Sequence, residues 1–314
     1  MIRVENLVKH YGDVKAVRSI SFEVKDGEIL GFLGANGAGK STTLKIMTGF
    51  LTPTAGNVYI NDLNILDHSL DIRKQIGYLP ELNPLYTEMK VYDLLEFVAR
   101  VRGLEGRAFR QALERVIEQC SLQGVLHRSV GECSKGYKQR IGLASAIIHD
   151  PKILILDEPV TGLDPNQIVE IRQLIKQLGR EKMVVISSHI LQEIEATVDR
   201  LVIIHDGKIV ADGTTESLMA EFQGQSQLSL TIKNAPEEQL TTLADVAPNL
   251  NIRKVTMENG LGQVVLEYDR DTDPREAVFR KIVDSGWILL EMSTKKAHLE
   301  ELFRKLTVEG GAHA

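Results

Sequence analysis

An eight-residue loop, Gly34-Ala35-Asn36-Gly37-Ala38-Gly39-Lys40-Ser41, follows directly on the apolar run Ile29–Leu33. The loop fits the pattern G-x-x-x-x-G-K-[ST], and the run before it reads as a buried strand. With a helix expected over 42–48, strand, glycine loop and helix succeed one another, which restricts the chain to α/β architectures of the P-loop kind. Three glycines within six positions let the backbone curl so that N–H groups point inward, and the helix beginning near Lys40 adds roughly half a positive charge at its N-terminus. A triphosphate fits that concavity. Lys40 is expected on the β- and γ-phosphate oxygens, Ser41 on Mg²⁺, and Thr42 at the α-phosphate. The bland alternative is a glycine-rich turn that only joins strand to helix. The loop by itself does not separate GTPases, kinases, motors and transport ATPases.

The chain is long for one domain: 314 residues, 43% of them hydrophobic, suit two. Lys plus Arg (37) against Asp plus Glu (43) gives a net charge of −6 without a long run of either sign, which argues against a nucleic-acid partner. Two cysteines, Cys120 and Cys133, are too few for a disulfide framework and lack metal-ligand spacing, so they read as packing residues in a reducing cytosol. No apolar run approaches the ~18 residues that span a bilayer, and the expectation is a chain neither exported nor membrane-spanning by itself.

Strand-like runs at 2–7, 19–24 and 58–60 surround the loop and suggest an antiparallel β layer. Apolar residues recur at helical spacing over 91–102 and 107–120, with a breaker at 103–106. Next comes alternation: strand 153–156, helix 166–178, strand 183–186, helix 191–197, strand 201–204, the pattern of a mainly parallel sheet. This gives a P-loop nucleotide-binding domain over 1–222 with a helical insert at about 84–145, a polar linker at 223–227, and an accessory domain over 228–308. Within the latter, strand 228–232, helix 237–243, strands 252–257 and 263–268, helix 274–285 and strand 287–291 form a βαββαβ order. That order fits a small ferredoxin-like α+β sandwich, which predicts no function. A last helix over 297–306 and a tail over 309–314 complete the chain.

The run 153–156 ends in Asp157, Glu158 and Pro159, two carboxylates at the carboxyl edge of a strand, where ligands bind in open α/β sheets. Beside a P-loop, Asp157 is expected to hold the metal and Glu158 to serve as general base for the attacking water. The alternative is a strand that merely ends in a charged turn.

Just upstream, Cys133-Ser134-Lys135-Gly136-Tyr137-Lys138-Gln139-Arg140 opens an apolar helix that runs through Ile148. The order of P-loop, helical insert, Ser-x-Gly and then apolar-Asp-Glu resembles the ATP-binding subunit of an ABC transporter over roughly residues 1–220. Thr161-Gly162-Leu163-Asp164 is similar to the family's D-loop, and His189 to its switch histidine. The resemblance implies an ATPase using ATP and Mg²⁺, formed by two subunits packed head to tail. Ser134 and Gly136 of one would meet the γ-phosphate held by the other's residues 34–41, and Asp164 would link the two sites. It also implies that His189 contacts the γ-phosphate and that Tyr11 stacks on adenine, although core packing of Tyr11 and a packing role for His189 are the bland readings.

The sequence departs from the family pattern at two places. Cys133, Lys135 and Tyr137 replace three residues of the usual Leu-Ser-Gly-Gly-Gln, leaving Ser134 and Gly136. Glu81 stands where the family has a glutamine that touches Mg²⁺, so metal contact there competes with a solvated loop carboxylate. The phrases around Tyr78, Ser134 and Leu299 resemble exporter ATPases paired with ABC-2-type permeases, including the gliding-motility-associated ATPases of bacteria. By that resemblance the chain is a peripheral subunit on the cytoplasmic face of the cell membrane, with a second ATP-binding subunit and an integral-membrane permease as partners. Two other readings stay open: a soluble ABC-type ATPase remodelling a ribosome or DNA, and a module that binds ATP without turnover. One P-loop without a coiled-coil insert disfavours the former, and the presence of Glu158 with His189 the latter.

Overall fold

The computed structural model describes residues 1–222, 226–258, 260–269 and 272–295. They belong to two compact units, Met1–Thr215 and a second beginning at Glu216.

The first unit holds two sheets. One is antiparallel, in the order β2-β1-β4-β5, built from β1 (Ile2–Tyr11), β2 (Val14–Val24), β4 (Ala55–Ile60) and the two-residue β5 (Leu63–Asn64). Its strands β1 and β2 are longer than the runs expected at 2–7 and 19–24. Their outer ends are polar and half exposed, and pairing across register shifts such as that between Lys9 and His10 carries the ladder on where hydrophobic patterning stops.

The other sheet has six strands in the order β10-β9-β3-β8-β7-β6. Its centre is β3 (Ile29–Leu33), flanked by β8 (Met183–Ser188) and β9 (Arg200–His205), with β7 (Ile153–Asp157) and β6 (Ile76–Leu79) beyond β8, all parallel. Every residue of β3, β7 and β8 is buried, as the unbroken apolar runs of a sheet covered on both faces require. The edge strand β10 (Lys208–Gly213) returns antiparallel to β9 through Asp206 and Gly207, both at positive φ, the geometry of a tight hairpin turn. Side chains of the two sheets share one core around Phe22, Phe32, Leu44, Met47 and Ile155.

Helix α1 (Lys40–Met47) follows the loop, and α2 (Ser69–Gln75) leads into β6. The helical insert carries α3 (Val91–Val101) and α4 (Gly106–Gln119), within a residue of the periodicity, and then α5 (Lys135–Ile147). Helix α6 (Pro165–Gly179) starts with Asp164 as N-cap and proline at its first position. Expected over 191–197, α7 is a single turn, Leu191–Ile194. The Thr197 amide closes a shorter turn onto Ile194 and its hydroxyl accepts from Arg172 Nε at 3.2 Å, which ends the helix. Helix α8 (Thr215–Phe222) follows β10.

The second unit contains β11 (Ser226–Lys233), β12 (Asn251–Glu258), β13 (Leu261–Tyr268) and β14 (Ile288–Lys295) in an antiparallel sheet ordered β12-β13-β11-β14. Together with α9 (Glu237–Leu240) and α10 (Arg275–Asp284) this is the βαββαβ split arrangement the alternation implied. Two expectations are corrected. Ser226 and Gln227 pair with Tyr268 and Glu267 rather than lying in a linker. The helix expected over 237–243 stops at Leu240 and continues as a 3₁₀ segment, Thr241–Val246, because the Thr241 and Thr242 hydroxyls donate back to the carbonyls of Glu238 and Gln239. The helix expected over 297–306 and the tail over 309–314 lie outside the described residues, as do 223–225.

Candidate nucleotide site

Parallel register brings the chemistry together. Leu33 pairs with Ser188 and Asp157 with Ser187, so β3, β7 and β8 end at one level, and the Gly34 amide donates to the Ser188 carbonyl at 3.3 Å. From that level the chain enters the loop at 34–41, the Asp157–Glu158 turn and His189.

The loop needs its glycines for two reasons. Gly37 and Gly39 have φ of +82° and +110°, and a Cβ on Gly34 or Gly39 would collide with the carbonyl oxygens of Ile204 and Ala16 respectively. Gly39 is the N-cap of α1, which places Lys40, Ser41 and Thr42 in the helix's first turn. Ala35, Asn36 and Ala38 fill the loop between, with Ala38 buried. The Lys40 ammonium, 6% exposed, donates to the Gly34 carbonyl at 2.8 Å and that of Ala35 at 3.4 Å, and lies 3.4 Å from Glu158 Oε1. The lysine is thus held back against its own loop.

Asp157 and Glu158, both buried, face different groups. Asp157 Oδ1 accepts from Ser41 Oγ at 3.2 Å and from Ser187 Oγ at 2.6 Å. Glu158 Oε2 accepts from His189 Nδ1 at 2.8 Å and from Thr161 Oγ1 at 3.0 Å, while Oε1 meets Lys40. Adjacent residues of a strand would point oppositely anyway. Here Glu158 also turns out of the strand at φ +52°, an uncommon conformation for a residue with a Cβ. His189 is one-third exposed, and its Nε2 has no partner among the described residues.

Ser134 caps α5, accepting from the Tyr137 amide at 3.4 Å, and Asp164 caps α6, accepting from the amides of Asn166 and Gln167. Both line one open groove of about 890 Å³ with Gly136, Tyr137 and Arg140; none of residues 34–41 lines it. At Gly136 the Gln167 side chain lies against the backbone, in the space a Cβ would take. Within one chain, then, the structure unites Lys40, Ser41, Asp157, Glu158 and His189, and places Ser134, Gly136 and Asp164 in a separate groove. Tyr11 lies at the end of β1, half exposed, with the Lys9 ammonium 5.3 Å from its ring centre. Glu81 is exposed on the turn beyond β6. Burial, then the charges of Asp157 and Glu81, push the nearby Tyr78 phenol well above its usual range, so it stays protonated.

Sequence reasoning missed Ser187 and quoted Thr161 and Gln139 only as members of segments, without their contacts. Gln139 Nε2 donates to the Pro159 carbonyl at 2.7 Å and ties α5 to the acidic turn. The available signal for Ser187 was a pair of hydroxyl residues, Ser187 and Ser188, at the end of an otherwise apolar strand. It also missed the contact of Lys135, whose ammonium occupies the space where a Cβ on Gly162 would sit. Among the described residues no helix is long and apolar enough to cross a membrane, and no group of three or more His, Cys, Asp or Glu side chains gathers as a metal cluster.

Residues 17–161 match the family model described as ABC transporter. The chain is 34% identical over 307 residues to the bacitracin transport ATP-binding protein BcrA of Bacillus licheniformis, covering 92% of this chain and 99% of that protein. It is 32% identical over 313 residues to the linearmycin resistance ATP-binding protein LnrL of Bacillus subtilis, covering 98% of each. Among solved structures it resembles an ATP binding subunit of an ABC transporter, with TM-score 0.65 at 30% identity over 71% of this chain and 93% of that one. The dimeric bacterial cassette MJ0796 gives 0.64 at 25%, over 68% and 98%. Similarity along more than nine-tenths of the chain to such proteins, on an ABC-type fold, fixes the assignment: this chain belongs to the ATP-binding, ATP-hydrolysing subunits of ABC transporters.

Proposed function

We propose that two copies of this subunit pack head to tail around two ATP molecules and energise export through a separate ABC-2-type permease, as peripheral subunits on the cytoplasmic face of the cell membrane. The observation that carries this reading is the separation, within one chain, of the Lys40 cluster from the Ser134–Asp164 groove. Each cluster lacks what the other has, and a two-fold arrangement lets the α5 N-terminus of one copy face a phosphate held by the other. The gliding-motility likeness rests on the motifs alone.

Asp157 and Ser41 offer a carboxylate and a hydroxyl oxygen 3.2 Å apart, hard donors that suit Mg²⁺ in a site completed by phosphate oxygens and water. Glu81 is the third oxygen donor in this reading. Bound there, Mg²⁺ supplies positive charge against the β- and γ-phosphates. An arriving triphosphate gives Lys40 a stronger anion than the loop carbonyls. Glu158, in the same cluster, accepts the proton of the attacking water through Oε1. His189 holds the other carboxylate oxygen at 2.8 Å and offers Nε2 to the γ-phosphate. Tyr11 supplies an exposed ring for adenine.

A membrane partner is supported by a second groove of about 770 Å³. Phe50, Leu70 and Val101 line it, more than two-thirds exposed, with Arg73, Lys74 and Arg102. Exposed apolar side chains gathered under a basic rim mark a protein contact. Purified from detergent-solubilised membranes, the subunit is expected to bring down a polytopic permease, and Phe50→Asp to lose it while still binding ATP. Recovery with ribosomes alone would contradict the transporter assembly.

A further inference from the structure

Asp157 and Glu158 are neighbours with different tasks, and one side chain touches both. Ser187, fully buried, donates from Oγ to Asp157 Oδ1 at 2.6 Å and accepts the Glu158 amide at 2.9 Å. It can do so because β7 and β8 are parallel neighbours in register at Asp157 and Ser187. The Glu158 amide belongs to a residue at φ +52°, beyond the last ladder pair, where no strand neighbour would otherwise hold it. The Ser187 hydroxyl therefore fixes the direction in which the chain leaves the strand, and with it the side of the turn on which the Glu158 carboxylate lies. The same hydroxyl holds one oxygen of Asp157 toward Ser41.

We infer that Ser187 is a positioning residue for the hydrolysis, one that locks the metal-side carboxylate and the general-base carboxylate into a single geometry. The inference rests on the reading of Asp157 and Glu158 given above. Removing the oxygen leaves a buried amide without an acceptor and a buried carboxylate with one donor fewer. Neither carboxylate is lost, so ATP still binds through residues 34–41. What degrades is the alignment of Glu158 with water and of Asp157 with the metal.

The test uses the full chain with Ser187→Ala and Ser187→Thr, and Mn²⁺ as a spectroscopic probe for the metal. For Ser187→Ala, kcat is expected to fall about 30-fold with KM for ATP within about threefold, the size expected for a lost hydrogen bond to a charged group. The affinity for Mn²⁺ in the presence of ATP, read by electron paramagnetic resonance, is expected to weaken about tenfold by the same loss. Metal-free ATP binding stays close to the wild type, the thermal midpoint falls by several degrees because a buried amide loses its acceptor, and Ser187→Thr, which keeps the hydroxyl, recovers these losses. If the added methyl unfolds Ser187→Thr, Mn²⁺ binding by Ser187→Ala decides alone. Unchanged turnover and Mn²⁺ affinity in Ser187→Ala would overturn the inference, as would losses that folded Ser187→Thr fails to recover. Glu158→Gln assayed alongside separates the two claims: wild-type turnover in that variant removes the general-base reading, while the hold of Ser187 on Asp157 is still read from Mn²⁺.

Discussion

Glu158→Gln is expected to bind ATP within about threefold of the wild type and to lose turnover by about 100- to 1000-fold, with dimers accumulating when ATP is present. The amide keeps the shape of the carboxylate and can still meet His189 Nδ1 and Thr161 Oγ1, which lie 2.8 and 3.0 Å from Oε2. What it cannot do is accept a proton from water. It also removes one negative charge from the buried cluster around the Lys40 ammonium, and so favours the state in which triphosphate and partner subunit close over the site. Equilibrium nucleotide binding, steady-state phosphate release and size-exclusion chromatography with ATP read the three effects. Turnover near that of the wild type would remove Glu158 from the role of base.

The second large effect is on the loop itself. Gly39→Ala would place a Cβ at φ +110° against the Ala16 carbonyl of β2, and neither backbone can retreat without disturbing α1 or the antiparallel sheet. The expected loss is about 3 kcal/mol of stability together with ATP binding. Gly37→Ala is the control. Its φ is +82°, but a Cβ there meets nothing within 4 Å, so only the backbone conformation is disfavoured, by about 1 kcal/mol. Urea unfolding of the two variants compares them directly, and equal midpoints would mean that the close approach of Gly39 to Ala16 does not govern the loop.

The parts of this fold that sequence reveals are those whose signal is local. Residues 29–33 and 153–156 are apolar runs between punctuating residues, and α3, α4 and α6 carry helical periodicity with caps such as Asp164. β6 gave no such signal. It is four residues long and contains Gly77, where a Cβ would strike the Ala146 carbonyl of α5, so its strand character comes from packing rather than from composition. β10 is half exposed, and its pairing comes from the Asp206–Gly207 turn. In the candidate site, the clustering of Lys40, Ser41, Asp157 and Glu158 was legible because their spacing from strand ends is itself the motif. Ser187 was not, because its role depends on which residue lies beside it across two parallel strands, a contact 30 positions away in sequence. The contacts of Lys40 with Gly34, Ala35 and Glu158 were likewise invisible, since Glu158 lies more than a hundred positions away in sequence and meets the lysine only through the register of the sheet.

The central claim is that a working site is assembled from two chains. It is tested most directly by mixing two variants that are each inactive as homodimers: Lys40→Ala, which keeps Ser134, and Ser134→Arg, which keeps Lys40. In a head-to-tail pair one site collects both defects and the other collects neither. An equimolar mixture is therefore expected to recover about a quarter of wild-type ATP turnover, from half of the dimers being mixed and half of their sites intact. A mixture no more active than either variant alone would contradict the composite site.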